Sequence, residues 1–158
     1  MPRHTRYQGA IVRDHHLLLI RHQHHDDGRT YWLVPGGGIE PGESEEDCVR
    51  RELRAETGLE VRIERLLVDD AALPGGIYRW RKTYLCSVLS GEAHPGYEPE
   101  EVAAAVYGIV GVRWFDLRAP QNWFALLDSD PFTAPLVRQI RVMLGYAGQV
   151  ENPHRETP

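Results

Sequence analysis

The sequence predicts one α/β domain, in which helices cover both faces of a mixed β-sheet. The chain has 158 residues, of which 42% are hydrophobic and 26% charged, and this composition suits a single domain with a full core. Short runs rich in Val, Ile and Leu alternate with two longer segments of helical periodicity. We expect the domain to span residues 1–150 and the tail, residues 151–158, to be frayed.

The first elements are a hairpin and a third strand. Apolar runs predict strands at Tyr7–Val12 and His15–Arg21, and a polar loop over residues 22–29 then leads to a strand at Tyr31–Val34. Three histidines lie in this loop: His22, His24 and His25. Without cysteine partners or helical i, i+4 spacing, loop histidines are weak zinc ligands. We therefore expect them to be solvated.

The next segment predicts a helix that begins at Ser44 and ends at Gly58. Ser44 is a hydroxyl N-cap, the three residues after it are acidic and suit the positive end of the helix dipole, and Gly58 supplies the stop. Glu52 and Glu56 are four residues apart, so their side chains project from one face. Two carboxylates there repel unless they share a cation. The alternative is a solvated face on which they pair with arginines.

This segment resembles the Nudix box, which joins a glycine turn to an acidic helix. Eight positions match the family pattern. They are Gly37, Glu43, Arg51, Glu52, Leu53, Glu56, Gly58 and Leu59. Ala55 departs from the pattern, because the family usually has the first of two adjacent glutamates there. The resemblance implies a Nudix-type α/β/α sandwich with a mixed sheet and a metal-dependent hydrolase of phosphoanhydride bonds. The departure at Ala55 leaves the number of metal ions open.

The resemblance implies a site built mainly on the box helix. In Nudix hydrolases the cation lies on this helix, so that by position Glu52 and Glu56 are carboxylate ligands of Mg²⁺ or Mn²⁺. The backbone carbonyl of Gly36 is a further implied ligand. The family also implies that Arg51 pairs with Glu43 and holds the loop against the helix.

The resemblance does not fix the general base. Some members use a box glutamate, for which Glu52 is the candidate, and others use a glutamate from a later loop. An acidic segment that we expect to be a flexible loop, from Ser90 to Glu101, offers three candidates for the second role. They are Glu98, Glu100 and Glu101.

The second half of the chain predicts three more strands and a closing helix. Apolar or alternating runs indicate strands at Val61–Asp69, Ile77–Leu89 and Gly108–Leu117. Amphipathic periodicity predicts a helix over Pro131–Tyr146.

The strand at residues 77–89 suggests a substrate wall. Its alternation places Tyr78 and Trp80 on one side and Arg79 and Arg81 on the other. An aromatic ring suits a base or ribose and an arginine suits phosphate oxygens, although an ordinary sheet with packed aromatics and solvated cations gives the same pattern. Pro74 lies fifteen residues after the box, and a proline near that place resembles the ADP-ribose pyrophosphatase subgroup. Hydrolysis of dNTPs or dinucleoside polyphosphates stays open.

Two further classes compete with hydrolysis. A non-catalytic nucleotide-sensing Nudix-like module usually carries changes at the positions of Glu52 or Glu56, and both are intact here. Isomerisation of an isoprenoid diphosphate on the same fold would need a catalytic cysteine, and Cys48 lies inside the box helix instead.

Charge and composition limit the partners. A net charge of −5 and a pI near 5.9 argue against broad binding of nucleic acid, so a small nucleotide is the expected partner. Cys48 and Cys86 are expected to be buried free thiols. The N-terminus lacks the apolar region of a signal peptide and the longest apolar run is too short to cross a bilayer, so we expect a cytoplasmic protein without membrane contact. Many members of the family are dimers, which makes a homodimer an option by analogy.

Overall fold

The computed structural model describes residues 4–72, 74, 76–127 and 130–146 of the chain. In this part it has seven strands, three α-helices and two 3₁₀ turns. The strands are β1 (Thr5–Arg13), β2 (His16–His24), β3 (Thr30–Leu33), β4 (Gly36–Gly37), β5 (Glu60–Ala71), β6 (Trp80–Ser90) and β7 (Tyr107–Asp116). The helices are α1 (Glu45–Thr57), α2 (Glu101–Ala104) and α3 (Thr133–Met143), and the 3₁₀ turns are Pro120–Asn122 and Phe124–Leu126. The tail at residues 151–158 lies outside the described residues.

The strands form a mixed sheet whose central path runs β3-β2-β1-β6-β5. β1 and β6 are parallel, whereas β2 is antiparallel to both β1 and β3, and β5 is antiparallel to β6. The short β4 pairs with β1 near its start, and β7 pairs with β2 along its whole length. The turn between β1 and β2 uses Asp14 and His15 at φ of 49° and 66°, as two-residue hairpin turns require. The predicted mixed sheet is confirmed.

Helices cover both faces of this sheet, as the sequence predicts. Leu53 of α1 and Leu18 of β2 belong to one buried cluster. Ile140 of α3 belongs to a second cluster, together with Leu17 and Leu19 of β2. Successive residues of a strand point to opposite faces, so alternate residues of β2 pack into the two clusters. Burial of each such side chain stabilises the fold by about 1.5–3 kcal/mol.

Local signals set the ends of α1 where the sequence predicts them. Ser44 Oγ accepts a hydrogen bond from the Asp47 backbone N–H at 3.1 Å. Gly58 takes the left-handed conformation at φ 78° and ends the helix. Both cysteines, Cys48 on α1 and Cys86 on β6, are buried free thiols, as expected. In the described ranges no helix has the length and apolar character needed to cross a membrane.

The loop predicted over residues 22–29 begins later than expected, because β2 extends into it. The strand continues to His24, because its pairing with β7 extends to Tyr107 and its pairing with β3 extends to Gln23. His22 therefore lies inside the sheet and only 2% of its surface is exposed, so the expectation that it is solvated was wrong. His25, beyond the strand, is exposed as expected.

The starts of β6 and α3 also differ from the predictions, and hydrogen bonds account for both changes. β6 begins at Trp80 rather than Ile77, and the backbone N–H groups of residues 79 and 80 both donate to the carbonyl of His4. α3 begins at Thr133 rather than Pro131. Asp130 Oδ1 accepts hydrogen bonds from the backbone N–H of residues 132 and 133, at 2.8 and 3.0 Å, and so satisfies donors of the first turn.

The acidic loop after β6 is attached to the end of α1. The backbone N–H groups of His94, Gly96 and Tyr97 donate to the carbonyls of Thr57, Glu56 and Ala55, at 3.0, 2.9 and 2.9 Å. These carbonyls belong to the last turn of α1, whose carbonyl groups have no N–H donors within the helix itself. The loop therefore runs directly over the carboxyl end of the box helix, and its next residue is Glu98.

Candidate active site

Two glutamates of α1 form the centre of the candidate site. Glu52 and Glu56 are both 0% exposed, on the face of α1 that meets the sheet. Gly36 N–H donates to Glu56 Oε2 at 2.8 Å. A Cβ on Gly37 would come within 2.5 Å of the Glu52 carboxylate carbon, so only glycine leaves room for this carboxylate. The alternative prediction, in which these glutamates lie on a solvated face, is wrong.

Arg51 connects the loop before α1 to the site. Its Nε and Nη2 atoms donate to the two carboxylate oxygens of Glu43 at 2.7 and 3.0 Å. Its Nη1 donates to Glu52 Oε1 at 3.0 Å, and Nη2 also reaches the carbonyl of Gly38 at 3.1 Å. The hydrogen bond from Arg51 lowers the pKa of Glu43. The pair implied by the family resemblance is thus present, and it fixes the orientation of Glu52.

A third carboxylate comes from the acidic loop. Glu98 is half-buried, and one of its carboxylate oxygens lies within 4.8 Å of a Glu56 oxygen and of a His22 ring nitrogen. Glu98 also accepts a hydrogen bond from the backbone N–H of Glu100 at 3.2 Å. Glu101 is exposed at the start of α2, outside this group of atoms. Of the candidate loop glutamates, the structure brings Glu98 to the box helix.

The electrostatics of the cluster favour binding of protons or of a cation, either of which neutralises the carboxylates. Burial raises the pKa of Glu52 above its usual value. Burial also raises the pKa of Glu56 well above its usual value, and the charges of Glu52 and Glu98 raise it further against the opposing effect of Arg6. Carboxylates in this setting hold either protons or a cation.

His22 lies against the same carboxylates, although its sequence context gave no sign of this. Its ring stacks on Tyr107 with centroids 4.5 Å apart and planes 26° apart, and it meets Tyr31 edge-on at 5.5 Å. Its Nδ1 lies 3.4 Å from Tyr31 Oη. Burial, and secondarily the charge of Arg6, lower the pKa of His22 to about 3, so the ring is neutral at physiological pH.

The donor set fits a divalent cation. Within this cluster, each of three residues has a buried side-chain atom without a hydrogen-bond partner in the described part of the chain: Glu52 Oε2, Glu56 Oε1 and His22 Nε2. Buried polar atoms are rarely left without partners, and a bound ion is one reason for an exception. Carboxylate oxygens are the ligands that Mg²⁺ and Mn²⁺ prefer. The cluster therefore offers several buried ligand atoms for one cation.

A cavity of about 280 Å³ lies beside the carboxylates. Its lining includes several aromatic rings and two arginines. They are Tyr31, Tyr78, Tyr107, Phe132, Arg6 and Arg81. Arg6 Nη2 donates to the carbonyl of Val34 at 2.9 Å, and Val34, which also lines the cavity, is two residues before Gly36. Tyr107 lines the cavity and stacks on His22. The cavity and the carboxylate cluster thus share their walls.

The predicted substrate residues are divided between this cavity and the surface. Arg81 lines the cavity and its guanidinium is held by Asp70 at 2.7 and 3.2 Å. Arg79 and Pro74 are exposed, and Trp80 is 42% exposed; none of them is among the described residues that line the cavity. Because β6 starts only at Trp80, the alternation expected from residue 77 does not apply to the first three positions. Tyr78, rather than Trp80, is the aromatic residue of this segment in the cavity.

Comparisons with known proteins agree with this architecture. The NUDIX domain family matches residues 3–140. NudC of Photobacterium profundum, an NAD-capped RNA hydrolase, is 33% identical over 99 residues, which are 62% of this chain and 35% of that protein. YjhB of Bacillus subtilis, named as a candidate ADP-ribose pyrophosphatase, is 32% identical over 101 residues, which are 61% of this chain and 47% of that protein. The chain thus spans less than half the length of these two relatives. A NUDIX hydrolase structure from Nitrosomonas europaea has a TM-score of 0.66 at 22% identity, with 93% of each chain covered.

Proposed function

The chain belongs to the NUDIX domain family, and on that basis we propose that it hydrolyses a phosphoanhydride bond in a nucleoside diphosphate linked to another moiety. The observation that carries this proposal is the convergence of Glu52, Glu56 and Glu98 beside a glycine turn and an aromatic cavity. We propose Mg²⁺ or Mn²⁺ as the cation. An ion held by these carboxylates supplies charge neutralisation to the phosphate oxygens, which carries much of the catalysis in phosphoryl transfer.

The residues of α1 and its preceding loop hold and orient this ion. Glu52 and Glu56 offer buried carboxylate oxygens, and the carbonyl of Gly36 is the further ligand that the family resemblance implies. Arg51 is itself paired with Glu43, and it would act on the ion only by holding Glu52 in place. Such supporting contacts typically change metal affinity or activity by about 10- to 100-fold when they are lost.

Glu98 is the candidate that we favour for the general base. It comes from a loop rather than from α1, so it can face a water molecule that attacks from outside the helix. Its half-buried carboxylate lies next to Glu56. The exposed position of Glu101 gives that residue no comparable access. Glu98 also adds a carboxylate to a box that has alanine at position 55. Glu52 remains the alternative base, as a buried glutamate of the box helix.

The cavity suits one nucleoside of such a substrate. Ligand pockets usually enclose about 300–1,000 Å³, so 280 Å³ takes one moiety and leaves the diphosphate to extend toward the carboxylates. Tyr31, Tyr78 and Tyr107 offer rings for a base or ribose, and Arg6 offers a cation for phosphate oxygens. ADP-ribose and NAD-capped RNA, which appear in the names of the two relatives, both contain a nucleoside diphosphate joined to another group. We therefore place ADP-ribose-like compounds first among substrates.

A substrate panel tests this function. Purified protein is incubated with Mg²⁺ or Mn²⁺ and with ADP-ribose, NADH, sugar nucleotides, dinucleoside polyphosphates and dNTPs, and the products are separated by chromatography. We expect a nucleoside monophosphate from an ADP-ribose-like member of the panel. Glu56→Gln should lose at least about 100-fold in turnover, since it removes a proposed metal ligand and even supporting contacts are worth about 10- to 100-fold. Glu101→Gln is the control that keeps full turnover. Tight binding without product would support the nucleotide-sensing class instead.

A further inference from the structure

The carboxylate cluster contains an imidazole that the proposed hydrolysis does not use. His22 is 2% exposed, and a nitrogen of its ring lies within 4.8 Å of an oxygen of Glu56 and of an oxygen of Glu98. Within the described chain its Nε2 has no hydrogen-bond partner. A core histidine normally finds partners for both nitrogens, so this arrangement calls for an explanation.

We propose that His22 supplies a nitrogen ligand to a cation shared with Glu56 and Glu98, so that the site prefers a first-row transition-metal ion to Mg²⁺. The inference rests on the proposed function only in assuming that these carboxylates bind a cation. It uses one oxygen of Glu98 as a ligand and leaves the other oxygen for the proposed general base. It adds a ligand and a metal preference that the box residues do not supply.

The separations fit a single ion with small adjustments. Two ligands on opposite sides of an ion lie about 4.2 Å apart, which is twice a bond length of about 2.1 Å, and adjacent ligands lie closer. The three atoms all lie within 4.8 Å of one another. Side-chain shifts of roughly half an ångström per atom would bring all three into contact with one ion.

The surroundings of His22 are those of an oriented ligand. Histidines that bind metals usually donate their other N–H to an oxygen, which fixes both the tautomer and the ring plane. When Nδ1 carries the proton, it points to Tyr31 Oη at 3.4 Å and leaves the lone pair on Nε2. The stacked ring of Tyr107 holds the imidazole plane from the other side. Both nitrogens then have a role.

An imidazole ligand changes which ions bind well. Carboxylates and water suit Mg²⁺, whereas imidazole suits transition ions such as Zn²⁺, Fe²⁺ and Ni²⁺. A mixed set of one nitrogen and two carboxylates therefore favours the transition ions, including Mn²⁺, over Mg²⁺. Glu52, which has a buried oxygen without a partner in the described part of the chain, is available as a further carboxylate ligand.

Electron paramagnetic resonance of the full chain loaded with Mn²⁺ tests the ligand directly and without substrate. We expect electron spin-echo modulation from one directly coordinated ¹⁴N, and we expect it to change to the ¹⁵N pattern when only the histidines are labelled. This measurement uses the unmutated protein, so it does not depend on how a variant folds. Mn²⁺ binding without nitrogen modulation would overturn the inference and leave the proposed function intact. If no Mn²⁺ bound at all, the inference would be overturned, and the substrate panel with Mg²⁺ would test the proposed function separately.

Metal titrations of variants test the preference. His22→Ala should weaken Mn²⁺ binding by about tenfold or more, the size of effect seen even for supporting contacts, and should change Mg²⁺ binding far less. His25→Ala is the matched control, since His25 is exposed and bonds through its ring to the carbonyl of Ala104. Circular dichroism confirms that both variants are folded. Equal losses for Mn²⁺ and Mg²⁺ in His22→Ala would show a merely structural histidine and contradict the inference.

Discussion

The close approach of Gly37 to Glu52 allows a perturbation that displaces one carboxylate without removing it. In Gly37→Ala the added Cβ would lie 2.5 Å from both the carboxylate carbon and Oε1 of Glu52. Ordinary contacts begin at 3.4 Å, so the two groups must separate by about 0.9 Å. Glu52 is fully buried and its Oε1 is held by Arg51, which leaves the side chain little freedom to yield. The carboxylate or the glycine strand must therefore shift.

The expected effects differ for activity and stability. A displacement of about 1 Å in a catalytic arrangement can reduce the rate by about 100-fold, so kcat should fall by roughly that factor. Overpacking of a buried site costs about 1–3 kcal/mol, so the free energy of unfolding should fall by a similar amount while the protein stays folded. The loss of activity should thus exceed what partial unfolding explains.

Steady-state kinetics with the substrate identified in the panel, together with urea unfolding, measure both effects. Gly145→Ala provides the control: nothing lies within 4 Å of its added Cβ, but φ of 79° makes the substitution strained. This variant should lose about 1 kcal/mol of stability and keep its kcat. A Gly37→Ala protein that turns over within twofold of the unmutated rate would refute the view that Glu52 must occupy this position.

Three other changes test separate parts of the site. Arg51→Lys keeps the charge but loses the two-pronged contact with Glu43, so kcat should fall about tenfold with unchanged circular dichroism. Tyr78→Leu should raise KM by about 5- to 100-fold if a base stacks in the cavity, whereas Trp80→Leu at the exposed neighbouring position should not. The raised pKa of Glu56 means that the folded protein binds this proton more tightly than the unfolded chain does. In chelator, its contribution to stability is present at low pH and is lost as pH rises through the folded-state pKa. Urea unfolding at pH 5 and pH 8 should therefore show that the stability of the unmutated protein, relative to Glu56→Gln, falls with rising pH, and added Mn²⁺ should reverse this fall.

The parts of the fold that depend on neighbouring residues were predictable. The N-cap at Ser44 and the stop at Gly58 act over three or four residues, and the structure has both where the sequence predicts them. The i, i+4 spacing of Glu52 and Glu56 likewise determines that both lie on one helix face. Strand identities followed from apolar runs, while their ends moved by one to three residues because pairing and capping partners lie elsewhere in the chain.

His22 could not be found by the same reasoning. The segment after Arg21 is polar, which is typical of a loop, and the strand continues there because β3 and β7 supply hydrogen bonds on both sides. A register shift between Arg21 and His22 in the pairing with β7 also interrupts any simple alternation. The burial of His22 is therefore a property of the sheet rather than of its local sequence. Only the nearby tyrosines, from distant segments, reveal its environment.

The sequence did not predict the cavity, because residues from separate segments of the chain form it. Its rings come from β3, the segment before β6, β7 and the segment before α3, so no single pattern in the sequence contains them. Of residues 79–81, which the sequence analysis assigns to a substrate wall, only Arg81 lines this cavity. That prediction extended the alternation of a strand into residues that precede it.

The alanine at position 55 and the location of Glu98 are both related to one contact, in which the acidic loop packs on the last turn of α1. The last turn of α1 has carbonyls that need external donors, and the loop satisfies those of residues 55–57 with its own N–H groups. This contact requires glycine at position 96, since a Cβ there would overlap the carbonyl oxygen of Ala55. Ala55 is 8% exposed, so a glutamate in its place would add another charge to a turn that already buries Glu52 and Glu56. The same loop contact that covers this turn brings the carboxylate of Glu98 to the cluster from outside the helix. The site therefore gathers three acidic groups, Glu52, Glu56 and Glu98, although the box has alanine at position 55.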